Sequence, residues 1–151
     1  MTTASGVYYV DTSALIRAYF SGEPDHQRLR ELLLEGDAPV VTSALTRVEF
    51  ASAIAAAGRA GRLRRQRVLL DRFDADCRDG GPLTLLDFDA ASVFPLARRF
   101  VRAHPVRTLD AIHLAVALTD GRELAAGEPV SLVTRDKAQA AAAESLGLGL
   151  A

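Results

Sequence analysis

A chain of 151 residues, 49% hydrophobic and 25% charged, has the size and make-up of one globular domain, which excludes a disordered or fibrous protein. Its net charge of -1 excludes a global attraction to nucleic acid or membrane, so any anionic partner has to be held locally. One cysteine, Cys77, excludes an internal disulfide and a multi-cysteine metal site, and no apolar run approaches the roughly 18 residues needed to cross a bilayer; the expectation is a single cytoplasmic domain over residues 1–151.

The first strand signal, VYYVD at 7–11, runs into a helical SALIRAYF and then PDHQRLRELLLEG, an amphipathic helix with Leu29, Leu32 and Leu33 on one face and Gly36 at its end. PVVTS at 39–43 is the second strand. The helical run from 43 to 79, broken only around Gly58 and Gly61, is expected to form a hairpin that projects from the sheet and offers itself to partners. PLTLLD at 82–87 is the third strand, followed by a helix in which Pro95 falls in the first turns after an Asp89 cap or makes a kink. TLDAIHLAVAL at 108–118 reads as an apolar helix capped by Thr108. PVSLVT at 129–134 is the fourth strand, DKAQAAAAESLG a helix, and LGL near the end a weak fifth strand. This alternation predicts an α/β domain: a mainly parallel sheet of about five strands sandwiched between helices in three layers.

Four carboxylates fall at informative places. Asp11 closes the first strand and Asp136 follows the fourth, each at the start of a helix; both suit helix capping, and both lie beyond the carboxyl end of a parallel strand, where ligands bind. Asp110 in an opening helical turn suits the helix dipole or a site equally. Glu49 sits within a helix. Thr46 and Glu49 fit a capping box if that helix starts at Thr46, whereas with Ser43 as the earlier cap Glu49 lies in the second turn, beyond capping reach, and has to be paired or cation-bound if buried. The second reading is favoured. Thr134, two residues before Asp136, is placed to orient an acid or a water.

Acids that converge at one end of the sheet repel one another and are pushed toward protonation unless a cation compensates. Oxygen-only ligands suit Mg²⁺ or Mn²⁺, and zinc is disfavoured because His26, His104 and His113 show no ligand spacing. The matching chemistry is metal-assisted attack of water on a phosphodiester.

YVDTSAL at 9–15, VVTSALTRVEF at 40–50, RTLDAIHLAVAL at 107–118 and LVTRDKAQAAAAESLGL at 132–148 resemble, in order and over nearly the whole chain, the PIN-domain family and within it the VapC-type toxins of bacterial toxin-antitoxin pairs. The resemblance implies a PIN-like fold and an Mg²⁺- or Mn²⁺-dependent endoribonuclease acting on RNA. Its acidic residues fall on Asp11, Glu49, Asp110 and Asp136. By the same resemblance Asp11 and Asp110 are direct metal ligands, Glu49 and Asp136 complete the site directly or through water, and Thr12 and Thr134 support them. A homodimer and a small VapB-like antitoxin that inserts a peptide near the active site are also implied.

His113, three residues after Asp110, reads as a satisfied core or interface histidine rather than a general base. The segment GRAGRLRRQR at 58–67 concentrates five arginines, and Arg62, Arg64 and Arg65 are candidates for an RNA backbone track; a solvated helix face or an antitoxin surface explains them equally well. Two other functions compete. A haloacid-dehalogenase-like phosphatase requires a second acid two residues after the first, where this chain has Ser13. A catalytically silent PIN-fold module would bind RNA or protein without cutting.

Overall fold

Each apolar run ends at a glycine, proline or polar residue, and the chain alternates accordingly between short strands and helices. A computed structural model describes residues 6–151. Five parallel strands, β1 (Val7–Val10), β2 (Val40–Ser43), β3 (Leu83–Leu86), β4 (Val130–Val133) and β5 (Gly149–Leu150), form one sheet in the order β3-β2-β1-β4-β5. The chain builds outward from β1 to β3 and then returns to the other side of β1. The order therefore reverses between β1 and β4, in register from Val7 opposite Val130 to Val10 opposite Val133. The crevice beyond that reversal is where open α/β sheets place their ligands.

Alternating side chains feed two cores, one on each face. Tyr9, Val41 and Leu132 pack with Val93, Phe100 and Leu114 from α5 (Ala90–Ala103) and α6 (Thr108–Val116), and with Ala142 and Ala143 from α8 (Lys137–Ser145). Val10, Val40 and Val133 face the other way, onto α1 (Thr12–Tyr19), α2 (His26–Leu33), α3 (Leu45–Arg59) and α4 (Gln66–Asp76). The three-layer sandwich read from the sequence is what forms. No helix among the described residues is long and apolar enough to cross a membrane.

Three local features differ from expectation. The α3–α4 hairpin does not project freely: Phe50 and Phe73 stack at 4.3 Å, Tyr19 meets both edge-on, and Ile54 is fully buried, so an apolar stripe docks the hairpin on the sheet. Thr108 does not cap α6. It is already helical, and the capping position falls on Arg107, whose side chain makes no cap bond. The same helix is not uniform either, since Ala117–Gly121 form a π-helical turn leading into α7 (Arg122–Ala125). In that turn Asp120 keeps one buried carboxylate oxygen without a hydrogen-bond partner. Pro95 lies inside α5, past the Asp89 cap, which accepts from Ala91 N at 3.1 Å.

Candidate functional site

Asp11 is the first residue beyond β1 and the cap of α1. Its Oδ1 accepts from Ala14 N at 3.2 Å and Ser13 Oγ at 2.8 Å, and the residue is 3% exposed. Burial pushes its carboxyl up to about 6, although the Ser13 hydroxyl, the charge of His113 and the Ala14 amide each pull the other way. An acid this buried favours a proton or a cation beside it.

Glu49 reaches the same place from α3. α3 begins at Leu45 with Ala44, not Ser43, at the cap position and no side-chain cap bond, although Ser43 Oγ accepts from Leu45 N at 3.0 Å; Glu49 therefore lies in the second turn. Thr46 instead bonds within the core, 2.7 Å from Thr42, which donates to Val10 O. Glu49 Oε1 receives two donors: Thr12 Oγ1 at 2.9 Å and His113 Nε2 at 2.6 Å. Burial pushes the Glu49 carboxyl up, but the hydrogen bond and charge of His113 together with the Thr12 hydroxyl outweigh it, and the net shift is downward.

His113 is 1% exposed, and its Nδ1 lies 2.7 Å from the hydroxyl of fully buried Tyr9. Burial holds the Tyr9 phenol well above its ordinary range, so it keeps its proton. The two ring nitrogens are divided between two partners: Nδ1 faces the Tyr9 hydroxyl and Nε2 faces the Glu49 carboxylate. The sequence reading of His113 as a satisfied, buried histidine holds, and its partner is a site acid.

Asp110 and Asp136 share a cation. Arg107 Nε lies 3.4 Å from Asp110 Oδ2 and its terminal nitrogen 3.7 Å from Asp136 Oδ2, with the arginine side chain 85% exposed. Burial and then the charge of Asp136 raise the Asp110 carboxyl, against the pull of Arg107. Asp136 caps α8, its Oδ1 accepting from Gln139 N at 2.9 Å. Thr134 accepts from Asp136 N at 3.1 Å and donates to Gln139 Oε1 at 2.6 Å, while Gln139 donates to Asp110 O at 3.3 Å. Ser13 accepts from Arg135 N at 3.1 Å and joins the β1 end to the β4 end.

Thr12 donates to the Glu49 carboxylate, whereas Thr134 bonds the backbone amide of Asp136 and the Gln139 side chain rather than a carboxyl group. Among the described residues no three His, Cys, Asp or Glu side chains form a ready-made ligand cluster. The donor chemistry nevertheless fits a hard divalent cation, which binds through one or two carboxylates and keeps several waters. Tyr9, Ser13, Arg107 and Gln139 escaped the sequence reading. Ser13 two residues from Asp11 and a lone glutamine in an alanine-rich helix are signals that were there to be read; the Tyr9 contact is not legible in sequence.

Arg62, Arg64 and Arg65 are exposed on the α3–α4 connection, with no side-chain ion pair among the described residues and no contact to the four acids. Arg62 and Arg65 border a cavity of about 390 Å³ whose floor is Tyr19, Phe20, Leu63 and Leu69.

Comparison with known proteins matches residues 8–145 to the PIN domain. The chain is 39% identical over 122 residues to Ribonuclease VapC47 of Mycobacterium tuberculosis, covering 78% of this chain and 79% of that one. Among solved structures, Mycobacterium tuberculosis VapC20, a sarcin-ricin loop cleaving toxin, superposes with a TM-score of 0.63 at 19% identity, covering 89% of this chain and 94% of that one. VapBC2 from Rickettsia felis, bound to a DNA fragment from its promoter, superposes at 0.61 with 15% identity, covering 96% and 97%. The chain belongs to the PIN domain family.

Proposed function

We propose that the protein is a VapC-type endoribonuclease, a hydrolase of RNA phosphodiester bonds that depends on Mg²⁺ or Mn²⁺ and serves as the toxin of a VapBC-type pair. The observation that carries this reading is the polar network beyond the ends of β1 and β4, which ties Asp11 to Ser13, Glu49 to Thr12 and His113, and Asp110 to Asp136 through Arg107, in a PIN chain related to a named ribonuclease. Asp11 and Asp110 would hold the ion, with Glu49 and Asp136 beside them. A bound ion there polarises a phosphate oxygen and acidifies a water.

The chain's own residues supply the rest. Glu49, kept anionic by His113 and Thr12, is placed to accept a proton from the attacking water. Arg107 supplies positive charge at the cleft for a phosphate. Exposed Arg62, Arg64 and Arg65 would serve as a track for the RNA backbone. A small VapB-like antitoxin is the expected partner, in keeping with the VapBC2 likeness. Exposed Phe94, Val101 and Leu109 on α5 and α6 support a homodimer.

Incubation of antitoxin-free protein with diverse RNAs tests the reading. Cleavage with Mg²⁺ or Mn²⁺ is expected, abolished by chelator and in Asp11→Asn or Asp110→Asn. RNA binding without cleavage under all these conditions would favour the silent binding module. The phosphatase alternative lacks its second acid, since the hydroxyl of Ser13 is spent on Asp11 and on Arg135 N.

A further inference from the structure

We propose that Tyr9 and His113 form a positioning pair for Glu49, a hydrogen-bonded chain running from the core to the cleft that selects which oxygen of Glu49 is left for the reaction. The inference rests on the nuclease reading above and adds to it two residues that touch no reacting atom.

The geometry is specific. A histidine only 1% exposed has to satisfy both ring nitrogens inside the core. Tyr9 satisfies Nδ1 at 2.7 Å, which leaves Nε2 carrying the proton, and Glu49 Oε1 is its acceptor at 2.6 Å. Thr12, from a different helix, donates to that same oxygen at 2.9 Å. Two donors from α1 and α6 converge on Oε1, and Oε2 takes part in neither bond. Tyr9 is fully buried and His113 is 1% exposed, whereas the Glu49 side chain is 20% exposed, so the chain opens to solvent only at its acid.

A packing role alone explains this poorly. Leucine at 113 and phenylalanine at 9 together would fill the same space with no buried polar group to satisfy. Retaining both polar groups, linked end to end and terminating on a site carboxylate, matches the way outer hydrogen bonds orient ligating groups. Because His113 is one turn from Asp110, α6 sets the positions of two acids at once.

The test uses purified full-length protein and Mn²⁺ as the probe, titrated calorimetrically without RNA, alongside steady-state cleavage. His113→Leu is expected to weaken Mn²⁺ binding about 10–100-fold and to lower kcat by a similar factor, with KM for RNA within about twofold. Tyr9→Phe, which removes one oxygen, is expected to shift both in the same direction by a smaller factor. The double variant should be no worse than His113→Leu, because the two act through one chain. Variants that lose thermal stability yet bind Mn²⁺ and turn over like the wild type would overturn the positioning role and leave the nuclease reading intact. Wild-type protein that neither binds Mn²⁺ nor cuts RNA would remove both. Should His113→Leu fail to fold, Tyr9→Phe decides the question alone.

Discussion

Replacing Asp11 by Asn should separate stability from activity, because the charge that the proposed chemistry would need is one that the fold resists. Asp11 is 3% exposed and its carboxyl is pushed from 3.8 up to about 6, chiefly by burial. The folded chain therefore holds this proton more tightly than the unfolded chain, and wild-type stability falls as pH rises from about 4 to about 6. Above that window the ionised acid costs about 3 kcal/mol, at roughly 1.4 kcal/mol for each tenfold difference in proton affinity between the folded and unfolded chains. Asparagine removes the charge but keeps an oxygen for Ala14 N and Ser13 Oγ, and caps helices as well as aspartate. It gives up a favourable interaction with the helix dipole of about 0.3–1 kcal/mol. Asp11→Asn should thus be stabilised by roughly 2 kcal/mol at pH 7, or about 4–8 °C in Tm. Unfolding by heat or urea in chelator, from pH 4 to pH 8, checks this: the gain over wild type should vanish near pH 4 and plateau above pH 6. Added Mn²⁺ should then stabilise the wild type and leave the variant unmoved. A variant destabilised throughout, or a gain independent of pH, would refute the account of Asp11 as a buried, uncompensated charge.

Other sites give independent expectations. Phe73→Ala removes a ring stacked 4.3 Å from Phe50 at the base of the α3–α4 hairpin and should cost about 3–5 kcal/mol in denaturant unfolding; a loss under about 1 kcal/mol would mean that the hairpin is not docked as described. Asp120→Ala removes the unpartnered oxygen of the π-helical turn, whose carboxyl is raised by burial and then by the charges of Glu123 and Asp89, and should stabilise by roughly 0.5–1 kcal/mol near neutral pH, measurable as a higher Tm. Changing Arg62, Arg64 and Arg65 together to Ala should flatten the salt dependence of RNA binding, read as the slope of log Kd against log salt; an unchanged slope removes this segment from the RNA surface.

The strands were legible because each is a short apolar run with a clear break on either side, and parallel pairing follows from the helices between them. Asp11 and Asp136 were legible for the same reason, since strand ends are visible in sequence. Glu49 required the start of α3 to be judged, and the helix begins at Leu45, ahead of Thr46, behind an alanine at the cap position. What was not legible depends on contacts between distant segments. Nothing local to HLAVAL indicates that His113 meets Tyr9, 104 residues away, or Glu49, 64 away. Packing α6 across the face of β1 and β2 creates both contacts, and the alternating pattern does not dictate where that helix lies. The α3–α4 hairpin misled for a related reason: Phe50, Ile54 and Phe73 reveal an apolar stripe only once the two helices are folded against each other. The π-helical turn likewise has no counterpart in the regular helical spacing of 108–118.

The choice between helix cap and catalytic acid, which the sequence leaves open for Asp11 and Asp136, dissolves at the level of single oxygens. Asp11 gives Oδ1 to both Ala14 N and Ser13 Oγ; Asp136 gives Oδ1 to Gln139 N and turns Oδ2 toward Arg107; Glu49 gives Oε1 to both Thr12 and His113. In each case one oxygen builds the local structure and the other stays outside those bonds. A carboxylate has lone pairs enough for both tasks, whereas a serine or threonine cap would spend its only oxygen on the helix. The same hydrogen bonds fix the side-chain torsions, so that the second oxygen is held in place without a ligand to hold it. Under the proposed nuclease reading, a site built this way needs aspartate or glutamate at these positions even though other residues cap helices equally well, and the structural role would become part of the catalytic one.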